Sequence, residues 1–166
     1  MAKKINEKNL MILIMLVVIV IVIIIFGINL IFGGAKSVVN DYAKGMKNFD
    51  SKLIVNLYMD EMIKESYDSK EEMIDEYDLM FSDMKDSYYE IIKYTIKSDY
   101  KLYEGNELDY QIDQLEEYYK ISPKDVKEIR RYTVNFECNY DGELKEVENK
   151  VIIAKIKNKW YLIGIE

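Results

Sequence analysis

The 166-residue sequence contains no histidine and only one cysteine, one proline and one tryptophan. Without histidine, and with Cys138 as the only thiol, the chain cannot form a Cys/His zinc site, a Ser-His-Asp or Cys-His nucleophile system, or an intramolecular disulfide. It also has no internal repeat, no Gly/Ser-rich linker and no proline-rich stretch. We therefore assign no catalytic residue, cofactor or metal ligand from motifs.

One apolar block, residues 10–32, dominates the N-terminal part of the sequence. Of its 23 residues, only Gly27 and Asn29 interrupt the run of apolar side chains. A helix of this length spans about 34 Å, slightly more than the roughly 30 Å hydrocarbon layer of a bilayer. Because a helix in a soluble protein does not need apolar residues on every face, we predict a single transmembrane helix over residues 10–32.

The charges beside this block predict its orientation. Three lysines and one glutamate precede it, whereas the first charges after it are mixed in sign. The positive-inside rule places residues 1–9 in the cytoplasm as a short stub and residues 33–166 outside the cell membrane. The alternative is a signal peptide cleaved after Ala35, although the apolar region of a signal peptide usually has about 7–15 residues.

The segment after the block is acidic. Residues 33–166 carry 20 basic and 29 acidic side chains, which gives a net charge of −9. Such a surface does not favour DNA, RNA or anionic lipid, so we expect no nucleic-acid partner. The acidic residues are dispersed in mixed runs such as KEEMIDEYD, which is typical of solvated helical faces.

The first half of this segment has the apolar spacing of helices. The spacing predicts one helix over residues 35–48 and a second helix that begins at Asp50 or Ser51. Ser69 and Glu72 have the spacing of a capping box and predict the start of a third helix. The inner stripe of that third helix is expected to contain Met73, Tyr77, Met80, Phe81 and Met84.

The second half alternates between apolar and polar residues, as strands do. The pattern predicts strands over 93–102, 131–140, 147–156 and 160–165, with a short helix or loop over 106–119. Turn signals at Asp141-Gly142 and Lys157-Asn158 join the last three strands into a meander. Helices that precede an antiparallel sheet indicate an α+β domain.

Both ends of the outer segment resemble the nuclear transport factor 2-like superfamily. The C-terminal VIIAKIKNKWYLIGIE looks like its closing hairpin, and VVNDYAKGMKNFDSKLIVNLYMDEM is similar to its first two helices. The resemblance implies three helices packed on a curved antiparallel sheet of about four strands, with an internal cone-shaped pocket and frequent dimerisation. It does not imply one activity, since the superfamily includes isomerases, dehydratases, ligand binders and secretion-system scaffolds.

Enzymes of this superfamily usually place a His-Asp pair, or a buried Asp with a Tyr partner, in the cone. This chain has no histidine, and Asp99 lies on the polar side of its strand, where it is a poor buried general base. We therefore expect no enzymatic activity. The apolar strand faces predict instead a possible ligand pocket with a few orienting hydroxyls. Its lining would be Tyr94, Ile96, Tyr132, Val134, Phe136 and Trp160.

Two further patterns have a structural and a functional interpretation. Residues 137–148 match the donor spacing of an EF-hand calcium loop except at Glu137, where that loop begins with Asp. The alternating flanks favour a β-hairpin, so we predict no calcium site. Eight tyrosines between Tyr88 and Tyr119 are interleaved with lysines; stacking on nucleic acid or sugar is one interpretation, and an amphipathic core is the one we favour.

These observations predict a single-pass, membrane-anchored protein of a bacterial envelope. Its outer domain is expected to recognise a protein partner, or itself, as a scaffold. A narrower form of this hypothesis is a subunit of a conjugation or type IV secretion-like assembly, because scaffolds of those machines combine this fold with one N-terminal helix. The alternative is an extracytoplasmic domain that holds a small apolar or cell-wall-derived ligand in its cone pocket.

Overall fold

The computed structural model describes residues 34–166. The predicted transmembrane helix, residues 10–32, and the stub before it lie outside the described residues. Within residues 34–166, no helix is both long enough and apolar enough to span a bilayer.

The described chain forms four helices, a strand, a fifth helix and a three-strand meander. The elements are α1 (Ala35–Asn48), α2 (Ser51–Val55), α3 (Asp60–Ser66), α4 (Lys70–Asp86), β1 (Tyr89–Leu102), α5 (Gly105–Tyr119), a 3-10 turn (Pro123–Asp125), β2 (Val126–Tyr140), β3 (Glu143–Ile156) and β4 (Lys159–Ile165). The strands pair antiparallel in the order β1-β2-β3-β4. The α+β class and the four-stranded antiparallel sheet are as predicted.

Both predicted hairpin turns are present. Asp141 and Gly142 have φ of 50° and 83°, and Lys157 and Asn158 have φ of 48° and 69°. Positive φ at both central positions is what a two-residue type I′ turn requires, and its twist matches that of the flanking strands. These turns fix the register of β2, β3 and β4.

Helix α1 covers the first face of the sheet. Val39, Tyr42 and Ala43 are buried against alternate residues of the strands. The Tyr42 ring meets Phe136 edge-on, with 6.4 Å between ring centroids. The Asn149 amide donates a hydrogen bond of 2.8 Å to the Tyr42 hydroxyl. Helix α1 is thus held by apolar packing together with one polar contact to β3.

The second face of the sheet is covered only at one end. In β3 the run from Val151 to Ala154 is buried throughout, because its alternate residues enter different cores. The second core contains sheet residues together with side chains of α3 and α5, among them Met59, Met62, Tyr103, Leu115, Ile129, Ile152, Ala154 and Ile156. The sequence predicted a strand from residue 131 with one solvated face, whereas β2 begins at Val126 and the same face is buried at Ile129.

The predicted second helix is divided into α2 and α3. Asp50 caps α2 as expected, since its carboxylate accepts a hydrogen bond of 2.9 Å from the Leu53 N–H. Helix α2 ends at Val55, and two residues later the Leu57 carbonyl accepts the N–H of Leu162 in β4, with an N···O distance of 2.9 Å. A carbonyl engaged with a strand does not continue the helical ladder.

Helix α4 has the predicted capping box but a narrower inner stripe than expected. The Ser69 hydroxyl accepts from the Glu72 N–H at 3.1 Å, and the Glu72 carboxylate accepts from the Asp68 N–H at 2.7 Å. Met73 and Phe81 are buried, but Met80 is 38% exposed. The prediction of Met80 as an inner residue is wrong, because α4 packs mainly against α2 and α3 and buries only a narrow strip.

Gly45 lies where α1 approaches Ile54 of α2. A Cβ atom at Gly45 would be 2.5 Å from Ile54 Cγ1. Alanine normally stabilises a helix interior by about 1 kcal/mol relative to glycine. Here we expect Gly45→Ala to lower the free energy of unfolding by about 1–3 kcal/mol through overpacking. Urea unfolding of the full-length chain in detergent, followed by the fluorescence of Trp160, measures this.

The matched background for this prediction is Ile54→Ala, which removes the obstructing atoms. There we expect Gly45→Ala to be neutral or stabilising, so the double-mutant cycle gives a coupling energy of clear sign. A stabilising effect of Gly45→Ala in the wild-type background would contradict the close packing of α1 and α2.

The buried tyrosines predict a loss of stability at alkaline pH. Burial raises the pKa of Tyr42 to about 12, although the hydrogen bond from Asn149 opposes the shift. Because the folded pKa lies above the unfolded value, the stabilisation is complete below about pH 10 and is lost as pH rises towards 12. At pH 11 ionisation of Tyr42 should cost about 1.4 kcal/mol of unfolding free energy.

The measurement is urea unfolding at pH 9 and pH 11 for the wild type and for Tyr42→Phe. The phenylalanine variant should lose about 1.4 kcal/mol less between the two pH values. Equal losses in both proteins would show that the Tyr42 hydroxyl is not buried in the folded domain.

Candidate functional site

The six side chains predicted to line a pocket lie on the first face of the sheet. They come from β1, β2 and β4, and all belong to the core beneath α1. Three of them, Tyr132, Val134 and Phe136, are buried. The other three are half-buried and pack against that core: Tyr94, Ile96 and Trp160.

Side chains of the domain itself pack on these residues. Besides the contact between Tyr42 and Phe136, the Tyr94 hydroxyl donates to the side-chain oxygen of Asn40 at 3.2 Å. The Arg130 guanidinium lies 4.8 Å from the Trp160 ring. The structure therefore brings the predicted residues together as a packed layer. A ligand cavity lined by these six residues stays a prediction. The clefts described next are lined by other residues.

The largest of these clefts lies between α4 and the open end of the β1–β2 pair. Its volume is about 520 Å³, and its walls are Glu76, Leu79, Met80, Asp83, Met84, Ser87, Tyr89 and Tyr140. Leu79 is 65% exposed and Tyr140 is 43% exposed. The cleft thus presents thioether, aliphatic and aromatic groups to solvent.

A second cleft, more enclosed, lies where α3, α4 and the edge strand β4 meet. Its volume is about 250 Å³, and its walls are Tyr58, Met62, Ile63, Ser66, Tyr67, Met73, Tyr77, Tyr119, Ile163 and Gly164. The hydroxyls of Tyr58 and Tyr77 are 3.3 Å apart. Tyr58 touches all three apolar cores of the described domain, which explains how its position is fixed.

A third cleft, of about 260 Å³, connects the other two. It shares Tyr67 and Tyr77 with the tyrosine-lined cleft and shares Glu76 and Met80 with the larger one. We call the three clefts together the α4 groove. It follows one side of α4 from Met73 to Ser87, which is a length of about 21 Å at the helical rise.

Only acidic side chains carry charge in the walls of the α4 groove. Glu76 and Asp83 line it, and neither lysine nor arginine does. Helix α4 itself contains seven acidic and two basic residues. Burial raises the pKa of Tyr58, and burial together with the neighbouring Glu76 carboxylate raises the pKa of Tyr67. These phenols therefore stay neutral near pH 7 and add no negative charge to the groove.

The groove offers apolar, phenolic and carboxylate groups to solvent. Among the described residues, no three Cys, Asp or Glu side chains lie close enough together to hold a metal ion. Cys138 is buried and accepts a hydrogen bond of 2.8 Å from the Tyr89 hydroxyl. An apolar floor with an acidic rim can bind a surface of complementary shape and positive charge.

The predicted hairpin over residues 137–148 is confirmed, and its carboxylates face lysines. Glu137 pairs with Lys93 at 2.6 Å, and Glu148 pairs with Lys97 at 3.0 Å. The donor spacing that resembled an EF-hand loop therefore belongs to paired strands β2 and β3.

Sequence reasoning did not identify the α4 groove, since it placed Met80 on an inner stripe. The available signal was Leu79, an apolar residue outside the stripe of an otherwise acidic helix. Comparison with known proteins adds no further guide: no family model, no curated protein and no solved structure matches the chain. The resemblance to the nuclear transport factor 2-like superfamily stays a prediction.

Proposed function

We propose that this chain is a membrane-anchored, extracytoplasmic protein-interaction domain that binds a basic segment of another envelope protein in the α4 groove. The observation that carries the proposal is the acidic rim around an exposed apolar floor. Exposed apolar side chains rimmed by polar residues are a feature of protein interaction sites.

The composition of the groove supports a protein partner. Methionine and tyrosine are enriched in protein interfaces, because they offer a large contact area, and methionine also adapts its shape. Three clefts in line suit an elongated occupant such as a helix or an extended segment. A second copy of this chain is disfavoured as the occupant, since its outer segment also carries a net charge of −9.

The remaining exposed sheet surface is a poorer docking site. Strand β1 forms one edge, but its pairing with β2 is irregular after Ile91 and again after Ile96. Its exposed side chains include Lys93, Lys97 and Lys101. Bulges and lysines are the usual means of protecting an edge strand from pairing with another chain.

The anchor and the detailed fold complete the proposal. Residues 10–32 would cross the membrane, with residues 1–9 in the cytoplasm and residues 33–166 outside. The resemblance of both ends of the outer segment favours a nuclear transport factor 2-like domain with a curved sheet. A place in a conjugation or type IV secretion-like scaffold is the narrower form of this proposal.

The docking prediction is tested by site-specific photo-crosslinking in the native membrane. A photoreactive residue at Leu79 should capture one envelope protein in stoichiometric amount. The matched control is Leu144, since the two leucines are 65% and 66% exposed, but Leu144 pairs with Asn139 and therefore lies on the face of the sheet opposite to the groove wall Tyr140. The crosslinked peptide of the partner should contain lysine or arginine beside apolar residues.

Three results would count against the docking proposal. They are equal capture from Leu79 and Leu144, no capture from either position, and capture of only a second copy of this chain.

The predicted orientation is tested by cysteine labelling in intact cells. Because Cys138 is fully buried, the unmodified chain should react little with a membrane-impermeant maleimide. A cysteine at exposed Ser98 should be labelled in intact cells, whereas Asn6→Cys should be labelled only after permeabilisation. The reverse pattern, or a mature chain that lacks position 6, would contradict the anchored arrangement.

A further inference from the structure

We propose that the tyrosine-lined end of the α4 groove is a pocket for a lysine side chain of the partner. The inference deepens the proposed function and rests on it. The aliphatic stem would pack on the apolar walls of the tyrosine-lined cleft, and the ammonium would reach the Glu76 carboxylate in the connecting cleft, of which Tyr67 and Tyr77 are also walls.

The polar groups of the pocket provide acceptors for an ammonium group. The hydroxyls of Tyr58 and Tyr77 are 3.3 Å apart, so only one of the two can donate to the other. Each phenolic oxygen keeps acceptor capacity. An ammonium group has three donors and no acceptor, and its rotation lets these donors reach oxygens on different sides.

Electrostatics selects a cation. Glu76 lines the two clefts next to the tyrosine-lined cleft, and no basic side chain lines any of the three. Across residues 34–166, Glu76 is a partner in none of the salt bridges. The Tyr67 hydroxyl lies beside this carboxylate, but no described cation compensates its charge. The tyrosine rings add a favourable quadrupole for a cation that reaches their faces.

The size and the apolar walls fit an alkyl stem. Met62, Ile63, Met73 and Ile163 contribute the apolar part of the wall. The cleft volume of about 250 Å³ exceeds the space that the five side-chain heavy atoms of lysine need, which is about 150 Å³ at the volume of a water molecule for each atom. The occupant can therefore bury its methylenes while the ammonium stays near the carboxylate.

The test uses small probes and the full-length chain in nanodiscs of neutral lipid. The probes are n-butylammonium, which reproduces the lysine side chain, and 1-butanol, which is its neutral counterpart. Saturation-transfer NMR detects the bound probe, with empty nanodiscs as background. We expect n-butylammonium to bind with a Kd of about 1–10 mM, which is in the range for a ligand of five heavy atoms.

Glu76→Gln should weaken n-butylammonium about tenfold and leave 1-butanol unchanged. The matched control is Asp75→Asn, because Asp75 is an exposed acidic residue of α4 outside the walls of the groove. This variant should leave the affinity for n-butylammonium within about twofold, since exposed charges outside contact range are screened by salt.

Equal binding of the two probes, an unchanged affinity in Glu76→Gln, or no binding up to 50-fold above the expected Kd would each overturn the lysine pocket. Failure of the inference is distinct from failure of the proposed function. If Leu79 captures a partner but n-butylammonium does not bind, only the pocket is wrong. If n-butylammonium binds as expected but nothing is captured, the ammonium site stands and the protein-interaction function is wrong.

Discussion

The hydrogen bond from the Leu162 N–H to the Leu57 carbonyl organises the domain. It satisfies a backbone donor of β4, which pairs only with β3 on its other side, and its acceptor lies between helices α2 and α3. Leu57 belongs to the core on the first face of the sheet, and Met59, two residues later, belongs to the core on the second face. The chain therefore passes around the sheet edge at this point. An unpaired strand edge can pair with another chain. The crossing covers part of the edge of β4, and it also joins the two cores.

The crossing also determines which side chains of α4 are buried and which are exposed. Helix α4 follows it and packs on α2 and α3, where Met73 and Phe81 are buried and the buried Ser51 hydroxyl donates to the Asp78 carboxylate. These few contacts suffice for a 17-residue helix, which leaves the side with Leu79 and Met80 exposed. The acidic residues keep that side soluble, whereas Leu79 and Met80 have no role in the core. Met73 thus belongs both to the core and to the walls of the groove, whereas Leu79 and Met80 belong to the groove alone.

The sequence predicted those features that depend on neighbouring residues. Capping by Asp50 and Ser69, the hairpin turn at Asp141 and the period of the strands are local, and the structure confirms them. The hydrogen bond between Leu57 and Leu162 was not predictable, because its two residues are 105 positions apart in the chain. The α4 groove was not predicted for a similar reason. The sequence of a helix shows which of its residues are apolar, but the neighbouring helices determine how many of them are buried. Met80 lies at the boundary between the buried and the exposed residues of α4.

The central claim is that the groove side of α4 is covered in the native membrane. Hydroxyl-radical footprinting measures this directly, because methionine oxidises readily and Met80 is 38% exposed in the domain itself. The purified full-length chain and the chain in native membrane vesicles are oxidised under the same dose. The account predicts that oxidation of Met80 falls several-fold in the vesicles, whereas oxidation of Tyr118, on the outer side of α5, does not change. Equal oxidation of Met80 in the two samples would contradict it.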